Sequence, residues 1–182
     1  MTYYGAKELA ESFRTVRKNT IQVAHDIPED KYSFKAAPDT RSVEKLLTHI
    51  ALGYRFQYQI SAVERLSNLE KFDFMGWFQE AGAEEAKPRN KAAVIDFLTK
   101  EGEIWANFVA GVSEEFLSQL VTFPQGATPP AKSRLELITN VKEHEMHHRA
   151  QLMLIERIIG VVPHLTRQMQ ERMAQRQQSP QR

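Results

Sequence analysis

Apolar positions recur at helical intervals over most of this chain. Leu9, Phe13, Val16, Thr20 and Val23 are 4, 3, 4 and 3 residues apart. Leu46, His49, Gly53, Phe56, Ile60 and Val63 are 3, 4, 3, 4 and 3 apart. Such spacing gathers side chains on one face of an α-helix, and it predicts helices over residues 7–25 and 42–68. Ile27-Pro28 ends the first, because proline disfavours helical geometry in the residue before it. Residues 32–40 then read as an extended linker with Pro38 and Asp39 at a turn, and Ser42 is a good N-cap for the second helix. A third helix is predicted over residues 90–110, with Asn90 as N-cap, Gly111 as C-cap and Val94, Phe97, Ile104, Trp105 and Phe108 on its apolar face. A fourth opens at the capping box Ser133-Arg134-Leu135-Glu136 and runs to residue 159, where Gly160 and Pro163 stop it. Its stripe is Leu137, Val141, His144, His148, Ile155 and Ile159, so two histidines point where the aliphatic residues point.

Between the second and third helices, residues 69–89 have no such period. They carry Phe72, Phe74, Met75, Trp77 and Phe78 and then a Gly/Ala/Glu stretch. This segment is expected to be an irregular flap on the core, or a lid or binding element of the kind long ordered loops provide. A short helix is expected within residues 113–119 and a loop over 122–130, and no strand is evident. The predicted fold is all-α: an antiparallel four-helix bundle with long connecting loops, forming one domain over residues 1–165. Residues 166–182, rich in Gln and Arg, are expected to be a frayed tail.

Composition narrows the chemistry. With 182 residues, 42% of them apolar, the chain can bury a core without staples. It has no cysteine, so disulfides, thiolate metal sites and cysteine nucleophiles are excluded, and any metal must be held by nitrogen and oxygen. The net charge of +1 gives no footprint for nucleic acid. No stretch approaches the roughly 20 apolar residues of a membrane span, and no signal peptide is evident. The expected address is therefore the cytoplasm.

The chemistry concentrates in His144-Glu145-Met146-His147-His148, which holds three of the six histidines. Residues i and i+4 lie one turn apart on one helix face, so His144 and His148 can aim at one point. His147 could replace His148, but its direction differs by about 100°, and His148 alone keeps to the apolar stripe. In a bundle, His49 on the second helix can join them, because ligand sites form from inward side chains of neighbouring helices. Gly53, one turn beyond His49, costs about 1 kcal/mol in a helix relative to alanine, which implies that something needs the space. A lone core histidine is usually packing, and His49 alone would be read so. Three imidazoles without a shared partner would be costly to bury. Zinc, nickel, iron, manganese and cobalt all accept nitrogen ligands. Glu145 and Arg149 flank the histidines and are candidate catalytic or supporting residues, or else part of a solvated helix face.

The chain resembles the DinB-like (DinB/YfiT) superfamily of metal-binding four-helix bundles. The resemblance is carried by Arg41-Ser42-Val43-Glu44-Lys45-Leu46-Leu47-Thr48-His49-Ile50, by His144-Glu145-Met146-His147-His148-Arg149-Ala150-Gln151-Leu152 and by Ile159-Gly160-Val161-Val162-Pro163. It covers residues 7–165. Where the family commonly has His-Arg-Gly-Gln, this chain has Ala150 in place of the glycine. The resemblance implies that His49, His144 and His148 bind one divalent metal with positions open to water, and that the protein forms homodimers. Relatives include S-transferases that use low-molecular-weight thiols, a mycothiol-dependent isomerase and metal-dependent hydrolases.

The leading expectation is thus a divalent-metal-dependent enzyme acting on a small molecule, with a low-molecular-weight thiol as a candidate cofactor. One alternative is a non-catalytic, metal-stabilised bundle or interaction protein. The other is a zinc protease, since residues 144–148 satisfy H-E-x-x-H with Glu145 as general base. That reading needs a later third ligand, for which His164 is the sole histidine, and a strand edge to align a peptide.

Overall fold

Helix α1 spans Ala6–Asp26 in the computed structural model, which describes residues 4–178. It buries Leu9, Phe13, Val16, Thr20 and Val23, the five positions of the predicted stripe, together with Ala10, Arg17 and Ala24. Helix α2 is Val43–Leu52, with the Ser42 side chain accepting from the Lys45 N–H. Here the structure departs from the predicted 42–68 helix. The ladder breaks at Gly53, whose N–H turns back to Ile50 O at 3.2 Å. A single turn, α3, follows at Arg55–Tyr58, and then a π-helical segment at Gln59–Val63. The wider π turn shifts the face by one residue, so Ile60 is fully buried while Val63, predicted inward, is 58% exposed.

Residues 69–89 also differ from expectation. Most of them form helix α4, Phe74–Ala86, capped at its start by Asp73, which accepts from the Gly76 N–H. No residue of α4 is buried, which is why its sequence shows no helical stripe. Its C-terminal carbonyls are held by one side chain: Lys45 Nζ donates to the oxygens of Glu85, Ala86 and Lys87 at 2.9–3.0 Å.

Helix α5, Lys91–Ala110, follows the predicted limits, with Asn90 accepting from the Ala93 N–H. A short α6, Glu114–Ser118, leads into a feature not expected, a two-stranded antiparallel ribbon of β1, Leu120–Thr122, and β2, Ala131–Ser133. Helix α7, Arg134–Ile158, starts with the predicted Ser133/Glu136 capping box and stops at Gly160, whose φ of +84° glycine adopts without strain. Residues 166–178, expected to fray, belong instead to helix α8, His164–Gln178; residues 179–182 lie outside the described part. His164 is buried against Asn19, and Arg167 pairs with Asp26 at 2.7 Å.

The chain is therefore mostly helical. Helix α1 packs on α5 and α7, and α2 packs on α5, α7 and α4. One core cluster joins Val23, Leu47, Ile50, Leu98 and Leu152, and another joins Phe13, Tyr54, Trp105 and Ile138. Among the described residues, no helix is long and apolar enough to cross a membrane.

Candidate metal centre

Packing α2 on α7 brings His49 to His144 and His148. One ring nitrogen from each of the three lies within 4.8 Å of the others, the distance range of a group that could hold a metal ion. The ring centroids of His144 and His148 are 4.5 Å apart, as one helical turn on a shared face requires. His49 sits 4.9 Å from the first and 4.8 Å from the second.

Neighbouring groups engage the Nδ1 atoms of His49 and His148. His49 Nδ1 lies 2.8 Å from Glu85 Oε2, a carboxylate that can only accept. The proton therefore sits on Nδ1, and Nε2 is left bare. His148 Nδ1 meets Gln151 Oε1 at 2.9 Å, and the same amide's nitrogen faces His147 Nε2 at 3.2 Å, so the Nδ1 side of His148 is engaged by Gln151. This is the support that metal-ligating imidazoles usually have. His49 Nε2 and His144 Nε2 stand 3.1 Å apart. Two nitrogens on a tetrahedral zinc, each about 2.0–2.1 Å from the ion, would be about 3.3 Å apart, so the donor set fits a divalent ion. His144 Nδ1 is buried without a partner, against Gly53. A Cβ at Gly53 would lie 2.7 Å from that nitrogen, which identifies what needs the space.

Burial favours the neutral form of His144 and His148. Burial, reinforced by the charges of His148 and His49, pushes His144 down to about 4. Burial lowers His148 as well, partly offset by Gln151. Glu85 is raised by burial, but hydrogen bonds from Arg41 and His49 outweigh this and hold it below its usual value. Neutral imidazole is the ligating form.

His49 and His144 line a cavity of about 1410 Å³ together with Arg41, Phe56, Trp77 and Phe78. Sequence reasoning missed Glu85. It lies 36 residues from His49, on a helix with no apolar stripe, and only the tertiary fold joins them.

The flanking candidates lie elsewhere. Glu145 is 2% exposed, and its carboxylate accepts from Arg17 Nε and Nη2 at 2.9 Å and from Thr20 Oγ1 at 2.7 Å. Arg149 is buried too and donates to Val16 O at 3.2 Å. Both face α1; neither is on a solvated face, and the Glu145 carboxylate is engaged by Arg17 and Thr20. His147 is exposed and outside the three-ring group. His164 packs on α1, and the third histidine of the group is His49, so the geometry of the H-E-x-x-H protease reading is not met.

A DinB-like protein from Bacillus subtilis has a similar fold, with a TM-score of 0.61 and 21% identity over 84% of this chain and 92% of that one. A conserved protein from Enterococcus faecalis is similar at a TM-score of 0.60 and 18% identity, over 82% and 93%. No curated protein matches the chain. A family model, the DinB superfamily, matches residues 12–152, and the chain belongs to that family.

Proposed function

We propose that this protein is a divalent-metal-dependent enzyme that acts on a small molecule, with His49, His144 and His148 as the ligands of one ion. The helices α1, α2, α5 and α7 are read as an antiparallel four-helix bundle, with the site between α2 and α7. The observation that carries the reading is the convergence of three ring nitrogens within 4.8 Å, with Glu85 and Gln151 each engaging the Nδ1 of a ligand, at His49 and at His148. A divalent ion held by three neutral imidazoles would keep its full charge and supply Lewis acidity, lowering the pKa of a water or thiol placed there. Glu85 positions His49 and is itself fixed by Arg41 at 2.6 Å. The cavity gives a substrate access to His49 and His144. Thiol S-transfer and hydrolysis both suit such a centre. Zinc, nickel, iron and manganese all suit the donors.

The test is elemental analysis of protein purified without an affinity tag, followed by assays with thiol and electrophile pairs, esters and amides. His49→Ala, His144→Ala and His148→Ala should each lose the metal and the turnover. Glu85→Ala should weaken metal binding about 10- to 100-fold without abolishing it. Full metal in all three histidine variants would reject the ligand set. A chelator-induced fall in Tm with no turnover of any substrate would favour a structural metal instead.

A further inference from the structure

The cavity beside the three histidines holds apolar surface that folding leaves uncovered. Large side chains of the two main core clusters, such as Leu47, Leu98 and Trp105, are at most 2% exposed. Phe56, Phe72, Phe74, Trp77 and Phe78 form a linked aromatic group with centroid separations of 5.0–5.8 Å, yet none of the five is buried. Phe56, Phe72 and Phe74 lean on the cluster of Ile60, Leu69, Val121 and Leu137. Trp77 and Phe78 belong to no core cluster, and Phe78 is 60% exposed. Val63 and Ile104, exposed by 58% and 43%, line the same cavity. An apolar patch that ends at a polar, chemically competent group is the usual form of a small-molecule site.

The charged groups of the inner wall are already matched. Arg41 gives its guanidinium to Glu85, and Arg55 makes two bonds of 2.7 and 2.8 Å to Glu101, which also accepts from the Tyr54 hydroxyl. Of the other lining carboxylates, Glu84 pairs with Lys87 and Arg89, Asp73 accepts from the Gly76 N–H and Glu64 accepts from Gln59; Lys71 and Glu80 are both exposed. An anionic ligand would have to break one of these pairs or lie among carboxylates that outnumber the lining cations, whereas a neutral apolar one would cover the aromatic wall at no such cost.

We propose that this cavity binds a neutral small molecule carrying an aromatic or similarly flat apolar group, which packs on Trp77 and Phe78 and directs its other end to His49 and His144. The placement of the reacting end rests on the metal reading above; the apolar end does not. Because α4 buries none of its residues, changes at Trp77 and Phe78 spare the core.

The test uses two probes with one skeleton: neutral N-phenyl-1-naphthylamine and its sulfonate, 1-anilinonaphthalene-8-sulfonate. Both are titrated by fluorescence into chelator-treated full-length protein and into the double variant Trp77→Ala/Phe78→Ala, whose helicity is checked by circular dichroism. The neutral probe should saturate at one per chain, about tenfold tighter than the sulfonate, and the double variant should weaken it about tenfold or more. Equal or tighter binding of the sulfonate, an unchanged Kd in the double variant, or no saturable binding would each overturn the proposal. Since metal is absent throughout, a failed ligand assignment leaves this result untouched. A failed titration in turn leaves the elemental analysis standing.

Discussion

Gly53→Ala separates the cost of a glycine to the fold from its use to the centre. Gly53 has φ −58° and ψ −21°, which alanine adopts freely. The backbone therefore gains from the change: replacing Gly by Ala at a compatible position stabilises by about 0.4–1 kcal/mol, chiefly by restricting the unfolded chain. Against this, the new Cβ would stand 2.7 Å from His144 Nδ1 and 2.9 Å from its Cε1. Ordinary contact begins near 3.4 Å, so the ring must retreat by about 0.7 Å. An imidazole on a helix face can do so, but metal–nitrogen bonds tolerate only about 0.2 Å. The variant should thus be as stable as the parent without metal, or melt about 2–4 °C higher, while its affinity for zinc falls about 10- to 100-fold. Calorimetry with a chelator reads the first quantity, and competition against a chromophoric chelator reads the second. Unchanged zinc affinity would refute the cradle argument. A sharp loss of stability in the metal-free protein would show that Gly53 serves packing instead.

Two further outcomes follow from groups away from the centre. Glu145→Ala leaves Arg17 buried without its carboxylate and should cost about 3–5 kcal/mol, read by urea unfolding, while the folded fraction keeps its metal; metal loss at full stability would return Glu145 to the site. Glu156 is fully buried with both oxygens unpaired, and burial, with Asp26 nearby, raises it to about 7 from 4.5. The unfolded chain releases that proton first, so the group's contribution to stability falls as pH rises from about 4.5 to 7. Glu156→Gln should therefore gain more Tm over the parent at pH 8 than at pH 5, measured with chelator present, and an equal gain at both would refute the assignment. His144, lowered to about 4, has the opposite slope below 6.5, and the difference between the two proteins cancels it.

The features legible in the sequence were those set by neighbours along the chain. The caps at Ser42, Asn90 and Ser133 are local hydrogen bonds, and the 3–4 stripes of α1 and α7 follow from one buried face. His49 kept its place because it precedes the break at Gly53. Beyond the break, the π segment preserves an apolar pattern while rotating it, so Val63 was misplaced. Helices α4 and α8 escaped for another reason. Periodicity detects burial, and α4 has no fully buried residue, while α8 is exposed from Gln168 to Gln177. Helix α8 rests instead on the propensity of Gln, Arg, Met and Glu. Three-residue strands are too short for alternation to register.

Residues 144–149 show how one helix divides its chemistry. Successive residues point about 100° apart, so two pairs at i and i+4 can serve different partners. His144 and His148 face α2, and Glu145 and Arg149 face α1. The string H-E-x-x-H fixes the first spacing but not which neighbouring helix each pair meets. Here Arg149 meets Val16 O and Glu145 meets Arg17, a charged residue on the α1 face otherwise made of Phe13, Val16 and Thr20. A buried Arg17 needs an anion, and Glu145 is the one its position allows, so the carboxylate is already engaged by α1 rather than free for a substrate water. Glu85 differs: among the described residues it is the carboxylate that meets His49, and it comes from outside both histidine-bearing helices.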